Sequence, residues 1–122
     1  MSAYVDVTAG VVHKGDRGGF RPSMVIIHAD AGKTEAGTIS WIRNPTSEVS
    51  YHYLVGRDGK VYQLVHESDR AWHAGKSHWP GMTDTQGSVN SASIGVCFAN
   101  DGTETYRDVQ YAAGGELVAD IC

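Results

Sequence analysis

The chain has 122 residues, 14 acidic side chains against 10 Lys and Arg for a formal net charge of -4, and 41% hydrophobic residues. That length buries roughly two thirds of the surface an unfolded chain exposes, enough for one domain over residues 1–122 without covalent staples. The acidic balance excludes a nucleic-acid partner that needs a broad basic face, and two cysteines, Cys97 and Cys122, exclude a disulfide framework.

The first ten residues carry neither the basic start nor the apolar run of a secretory signal, so synthesis in the cytoplasm is expected. No apolar stretch approaches the roughly 20 residues of a membrane helix. Residues 1–23 are irregular in pattern: Gly15, Gly18, Gly19 and Pro22 mark a loop entering a sheet, after a short strand near Val11-Val12. Met24 to His28 is predicted as a buried strand with β-branched residues at its centre. A helix capped by Thr34 or Thr38 should run through Arg43, with Ile39, Trp41 and Ile42 as its apolar side and Asn44-Pro45 as its stop.

Val49–Gly56 and Lys60–Val65 are β-rich runs joined by Arg57-Asp58-Gly59, and Asp-Gly between such runs predicts a hairpin. Regular alternation would place Tyr51, Tyr53 and Val55 on one face and His52 and Leu54 on the other. Residues 66–92 read as a long loop carrying Trp72, His73, His78 and Trp79, and a loop of that length in a compact domain points to function. Ser93 to Ala99 is a second buried strand, ended by Asn100-Asp101-Gly102. A last helix begins near Tyr106, with Val109, Ala113, Leu117 and Ile121 at helical spacing. Its apolar pattern still runs at Ile121 without a terminating Gly, Asn or Pro, so a shortened chain is expected.

His28 closes its apolar strand, and a strand end fixes the direction of an imidazole well enough for metal chemistry. A hydrogen-bonded strand-end histidine is the plain rival. Tyr51 has the rival of a sheet aromatic, His52 that of a structural residue, and His73 that of loop packing. His13, His66 and His78 are expected to be solvated. Cys97, inside an apolar strand, reads as a small buried hydrophobe. A Cys-His hydrolase built on Cys97 and His73 would need an exposed thiolate beside a positive group, which this pattern does not offer.

His28 after its strand, Arg43-Asn44-Pro45, Ser50-Tyr51-His52-Tyr53-Leu54-Val55-Gly56-Arg57-Asp58-Gly59, Ala71-Trp72-His73-Ala74-Gly75 and Ser93-Ile94-Gly95-Val96 follow one another in an order and spacing that resembles the type 2 N-acetylmuramoyl-L-alanine amidases. That family includes phage lysozyme-like amidases and the peptidoglycan recognition proteins. The resemblance spans roughly residues 23–122. It implies an α/β fold, a mixed central β-sheet flanked by helices. It also implies a zinc cofactor and hydrolysis of the amide between the lactyl group of N-acetylmuramic acid and L-alanine in peptidoglycan.

By the same resemblance His28 matches the first zinc ligand, and Tyr51 the tyrosine that assists at the attacked carbonyl. His73, Trp72 and His52 are expected to contact substrate. Cys97 stands where another branch has a catalytic glutamate. The family's other zinc ligands lie downstream of the last helix, so one ligand of three is expected here. The implied protein is a monomer acting on the cell wall; the alternative is a module that binds muramyl peptide without chemistry.

Overall fold

The computed structural model describes residues 4–74 and 88–122. Among the described residues seven strands and three helices follow in order: β1 (Tyr4–Asp6), β2 (Lys14–Gly15), β3 (Met24–Ala29), α1 (Glu35–Arg43), β4 (Tyr53–Val55), β5 (Val61–Gln63), β6 (Arg70–Ala71), α2 (Ser88–Ser91), β7 (Ser93–Phe98) and α3 (Asp108–Ile121). Five strands form one mixed sheet in the order β1-β5-β4-β7-β3, and β2 pairs with β6 in a small antiparallel ribbon. The strands β3, β7 and β4 are parallel; β4 and β5 form the antiparallel hairpin, and β1 joins β5 in parallel. This is the flanked mixed sheet expected from the sequence.

Two apolar layers sandwich the sheet. Leu54, Cys97 and Ala99 pack on one face with Ile42 and, half-buried, Ile39 of α1. Tyr53, Val55, Ile94 and Val96 pack on the other with Leu117 of α3 and, half-buried, Phe98 and Ala113. Each fully buried aliphatic side chain contributes about 1.5–3 kcal/mol, so the alternation in β4 and β7 ties both helices to the same sheet. The register aligns His28 with Cys97 and Cys97 with Leu54 across three strands.

Local chemistry sets the boundaries. Thr34 caps α1, its Oγ1 accepting the Gly37 N–H at 3.0 Å. The hairpin closes through Gly56 N–H to Lys60 O at 2.7 Å, and Gly59 sits at φ 84°, the left-handed region its turn demands. At the start of α3, Gln110 is buried: its Oε1 accepts the Arg107 N–H at 3.0 Å, and its Nε2 donates to Ala99 O at 2.9 Å. The helix entrance is thereby tied to the end of β7.

Several sequence expectations change. Val11-Val12 is not a strand; Val11 is a core residue, and the early strands are β1 and β2. Strand β3 is half-buried rather than buried, because it forms the sheet edge and leaves Ile27 55% exposed. Trp41 is 53% exposed, so the apolar side of α1 is Ile39 and Ile42. The 66–92 segment holds β6 and α2, while His78 and Trp79 fall outside the described residues. Among the described residues no helix is long and apolar enough to cross a membrane.

Candidate active site

Strand β3 delivers His28 close to its C-terminal end, on the α1 side of the sheet, and the chain that follows is tightly held. Asp30 Oδ1 accepts N–H groups from Gly32 at 3.0 Å and Asn100 at 2.9 Å, and its Oδ2 accepts from Thr38 Oγ1 at 2.6 Å. One carboxylate thus joins the exits of β3 and β7 to α1. Ala31, next in the chain, adopts φ 58°, a left-handed conformation unusual for a residue with a Cβ.

Three rings converge there. The His28 centroid lies 5.2 Å from that of Tyr51 and 5.0 Å from that of His73, and His28 Nε2 stands 2.9 Å from His73 Nδ1. These side chains come from three separate segments: the β3 end, the approach to β4, and the chain after β6. Beside them a cleft of about 410 Å³ opens against α1, lined by Ala31, Thr38, Trp41, Val49 and Tyr51 among others. Tyr51 forms a wall of the cleft and a neighbour of His28 at once.

Tyr51 does not follow the alternation expected for it. It packs on the α1 side with Leu54, whereas Tyr53 and Val55 face α3. The strand begins only at Tyr53, and His52 O takes N–H groups from both Leu64 and Val65, at 2.8 and 3.4 Å, a local doubling that breaks the two-residue period.

His52 is 0% exposed. Its Nδ1 accepts the Gly95 N–H at 3.0 Å, so its Nε2 carries the hydrogen that goes to Asp69 O at 2.8 Å. The Arg17 guanidinium lies 3.1 Å from Nε2 and donates its hydrogens to Ser91 O at 2.7 Å and Ser93 O at 3.1 Å. With both ring nitrogens engaged inside the protein, the expected substrate contact gives way to a role in holding β4, β7 and the β5–β6 connection together. Trp72 is half-buried, its ring 5.1 Å from that of His13. His13 is buried rather than solvated, with Nε2 2.8 Å from Asn44 O; His66 is exposed as expected.

Burial dominates the electrostatics. It lowers the pKa of His28, takes His52 down to about 4, and takes His73 to about 3 with help from the neighbouring His28, His52 and Arg17. All three rings are therefore neutral near pH 7. Burial also pushes the Tyr51 hydroxyl up, keeping it protonated and able to donate. The Cys97 thiol, fully buried, is pushed up too, which removes the thiolate a Cys-His hydrolase requires.

Two residues of the site went unnoticed as such in the sequence. Ser93 Oγ lies 2.9 Å from His73 Nε2, and a Cβ on Gly95 would come within 2.7 Å of the His73 ring. The signal was available: a small residue at every second position of β7, on the face where another group approaches the backbone closely.

A protein zinc site takes three or four ligands. Among the described residues no group of three or more His, Cys, Asp or Glu side chains stands close enough to hold a metal ion. His28 fits one corner of such a sphere, and the described residues do not complete it.

A family model for N-acetylmuramoyl-L-alanine amidase matches residues 18–122. The chain is 49% identical over 57 residues to N-acetylmuramoyl-L-alanine amidase A of Achromobacter lyticus, covering 46% of this chain and 31% of that protein. It is 35% identical over 102 residues to the amidase AmiD of Escherichia coli strain K12, covering 76% of this chain and 34% of that protein. It thus spans about a third of the length of these relatives. In fold, a crystal structure of an AmpD derivative superposes with a TM-score of 0.74 at 24% identity, over 99% of this chain and 74% of that one. The Drosophila peptidoglycan recognition protein SD superposes at 0.61 and 22% identity, over 98% and 74%. A match over this much of the chain, carried on the sheet that presents His28 and Tyr51, places the protein in the type 2 N-acetylmuramoyl-L-alanine amidase family.

Proposed function

We propose that this chain forms the sheet and one reactive corner of an amidase that hydrolyses the bond between the lactyl group of N-acetylmuramic acid and L-alanine in peptidoglycan. The observation that supports it most is the meeting of His28, Tyr51 and His73, with Tyr51 also lining an open cleft. Zinc is the metal this family uses, and His28 is the residue of this chain that would offer it a lone pair.

The roles of the chain's own residues follow from their surroundings. Tyr51 keeps its proton and stands against the cleft, so it can donate to a substrate carbonyl oxygen as negative charge builds there. Trp41, exposed on the cleft wall, offers an apolar face to a sugar ring or peptide stem. His73 buttresses His28 through the contact between its Nδ1 and His28 Nε2. Cys97 packs beneath Tyr51, its thiol interacting with the Tyr51 hydroxyl.

The test is the identity of the cut. In protein that also carries the remaining zinc ligands, incubation with muramyl-L-alanyl peptide should free an L-alanine amino terminus and leave the glycan intact; EDTA should abolish this and zinc restore it. Tyr51→Phe should lower the rate by about 10²–10³-fold, the usual worth of one preorganised donor. His28→Ala should remove the activity. Cleavage that survives His28→Ala, or binding of the peptide without turnover at any zinc concentration in protein that carries all the zinc ligands, would refute the proposal.

A further inference from the structure

Hydrogen positions around His28 are fixed by a chain of contacts that begins in β7. Ser93 Oγ lies 2.7 Å from Val89 O and 2.9 Å from His73 Nε2. A carbonyl oxygen only accepts, so the single hydroxyl hydrogen of Ser93 goes to Val89. Ser93 therefore accepts from His73, and His73 Nε2 carries a hydrogen. In a neutral imidazole the other nitrogen is then an acceptor, and His73 Nδ1 faces His28 Nε2 at 2.9 Å. Two lone pairs do not approach to that distance, so His28 Nε2 is the donor.

We infer that Ser93 and His73 are positioning residues that lock His28 in its Nε2–H tautomer, leaving Nδ1 as the one ring nitrogen with a lone pair to offer. No protein partner of Nδ1 occurs among the described residues. Packing and hydrogen bonds hold His73 in place. The His73 ring lies against Gly95, where a Cβ would come within 2.7 Å. Asn90 Oδ1 holds the backbone on either side, accepting from His73 N at 3.2 Å and Ala74 N at 2.8 Å. What Nδ1 is used for rests on the amidase reading; the order of protons does not.

Long-range ¹H–¹⁵N correlation spectra of the metal-free full chain, labelled on histidine and recorded at pH 7, read each tautomer directly. Both His28 and His73 should show hydrogen on Nε2. His52, also an Nε2–H ring by its contacts, serves as an internal standard. Ser93→Ala should abolish the single tautomer of His73, and His73→Phe should abolish that of His28, with His52 unchanged in each. His73→Gln, whose amide oxygen still accepts, should preserve it. Hydrogen on His28 Nδ1 in the wild type would overturn the inference without any variant having to fold. So would zinc addition that shifts His28 Nε2 and His73 Nδ1 together, since the pair would then be a two-nitrogen clip. Failure of peptide hydrolysis would leave the wild-type spectrum as expected, so the two readings fail separately.

Discussion

A histidine is informative only through what its two nitrogens touch, and the histidines among the described residues show how unequally sequence reveals that. His28 was legible because it ends an apolar strand. His52, one residue from Tyr51 in a motif shared with the family, looked equally eligible and is a buried brace instead. Its contacts are to Gly95, Asp69 and Arg17, residues 17 to 43 positions away, and no local pattern marks such partners. The same burial gives a pH signature. A histidine whose pKa falls on folding binds protons more readily in the unfolded state, so stability is complete above the ordinary value near 6.5 and is lost as pH drops toward the folded value. For His52, taken down to about 4, the loss amounts to roughly 3 kcal/mol between pH 6.5 and 4. Urea melts across that range should show it, with His52→Gln less stable at pH 7 but clearly flatter. An equal slope in the variant would show that other groups carry the acid sensitivity.

Elements defined by local contrast were readable, and those defined by distant pairing were not. The Asp58-Gly59 turn announced the β4–β5 hairpin, and the apolar run of β7 announced a central strand. Strand β1 was missed because its residues are exposed and its partners, Val61 to Gln63, lie 57 positions on. The helix α3 was legible in extent but not in its glycine pair. Glycine ordinarily costs a helix about 1 kcal/mol against Ala, yet a Cβ on Gly114 would meet Phe98 Cζ at 2.2 Å, whereas one on Gly115 meets nothing within 4 Å. Gly114→Ala should therefore push α3 off the sheet and destabilise the fold by about 1–3 kcal/mol, the usual cost of overpacking. Gly115→Ala should stabilise it by about 0.5–1 kcal/mol through helix propensity. Thermal melts of the two variants should move in opposite directions, and a shared direction would show that the α3–β7 contact is misplaced.

At the scale of the whole molecule, the sheet is a device for bringing three distant segments to one corner. Arg57 fastens the frame around it, pairing with Glu104 at 2.6 Å, forming an ion pair with Glu35, and donating to Gly32 O at 2.7 Å. That convergence is not legible in spacing, because the three segments lie far apart in the chain; only several motifs in one order, through their resemblance to the family, point to it. The proposed activity requires the muramyl peptide to sit at this corner and its cleft. The most direct measurement is a ¹H–¹⁵N correlation titration of the full chain with muramyl-L-alanyl peptide, which reports binding whether or not turnover follows. Shifts should concentrate at Ala31, Trp41, Tyr51, His73 and Gly95, and Ile94, Val109 and Leu117 on the α3 side should stay still. Shifts confined to the α3 side, or none at saturating peptide, would contradict it.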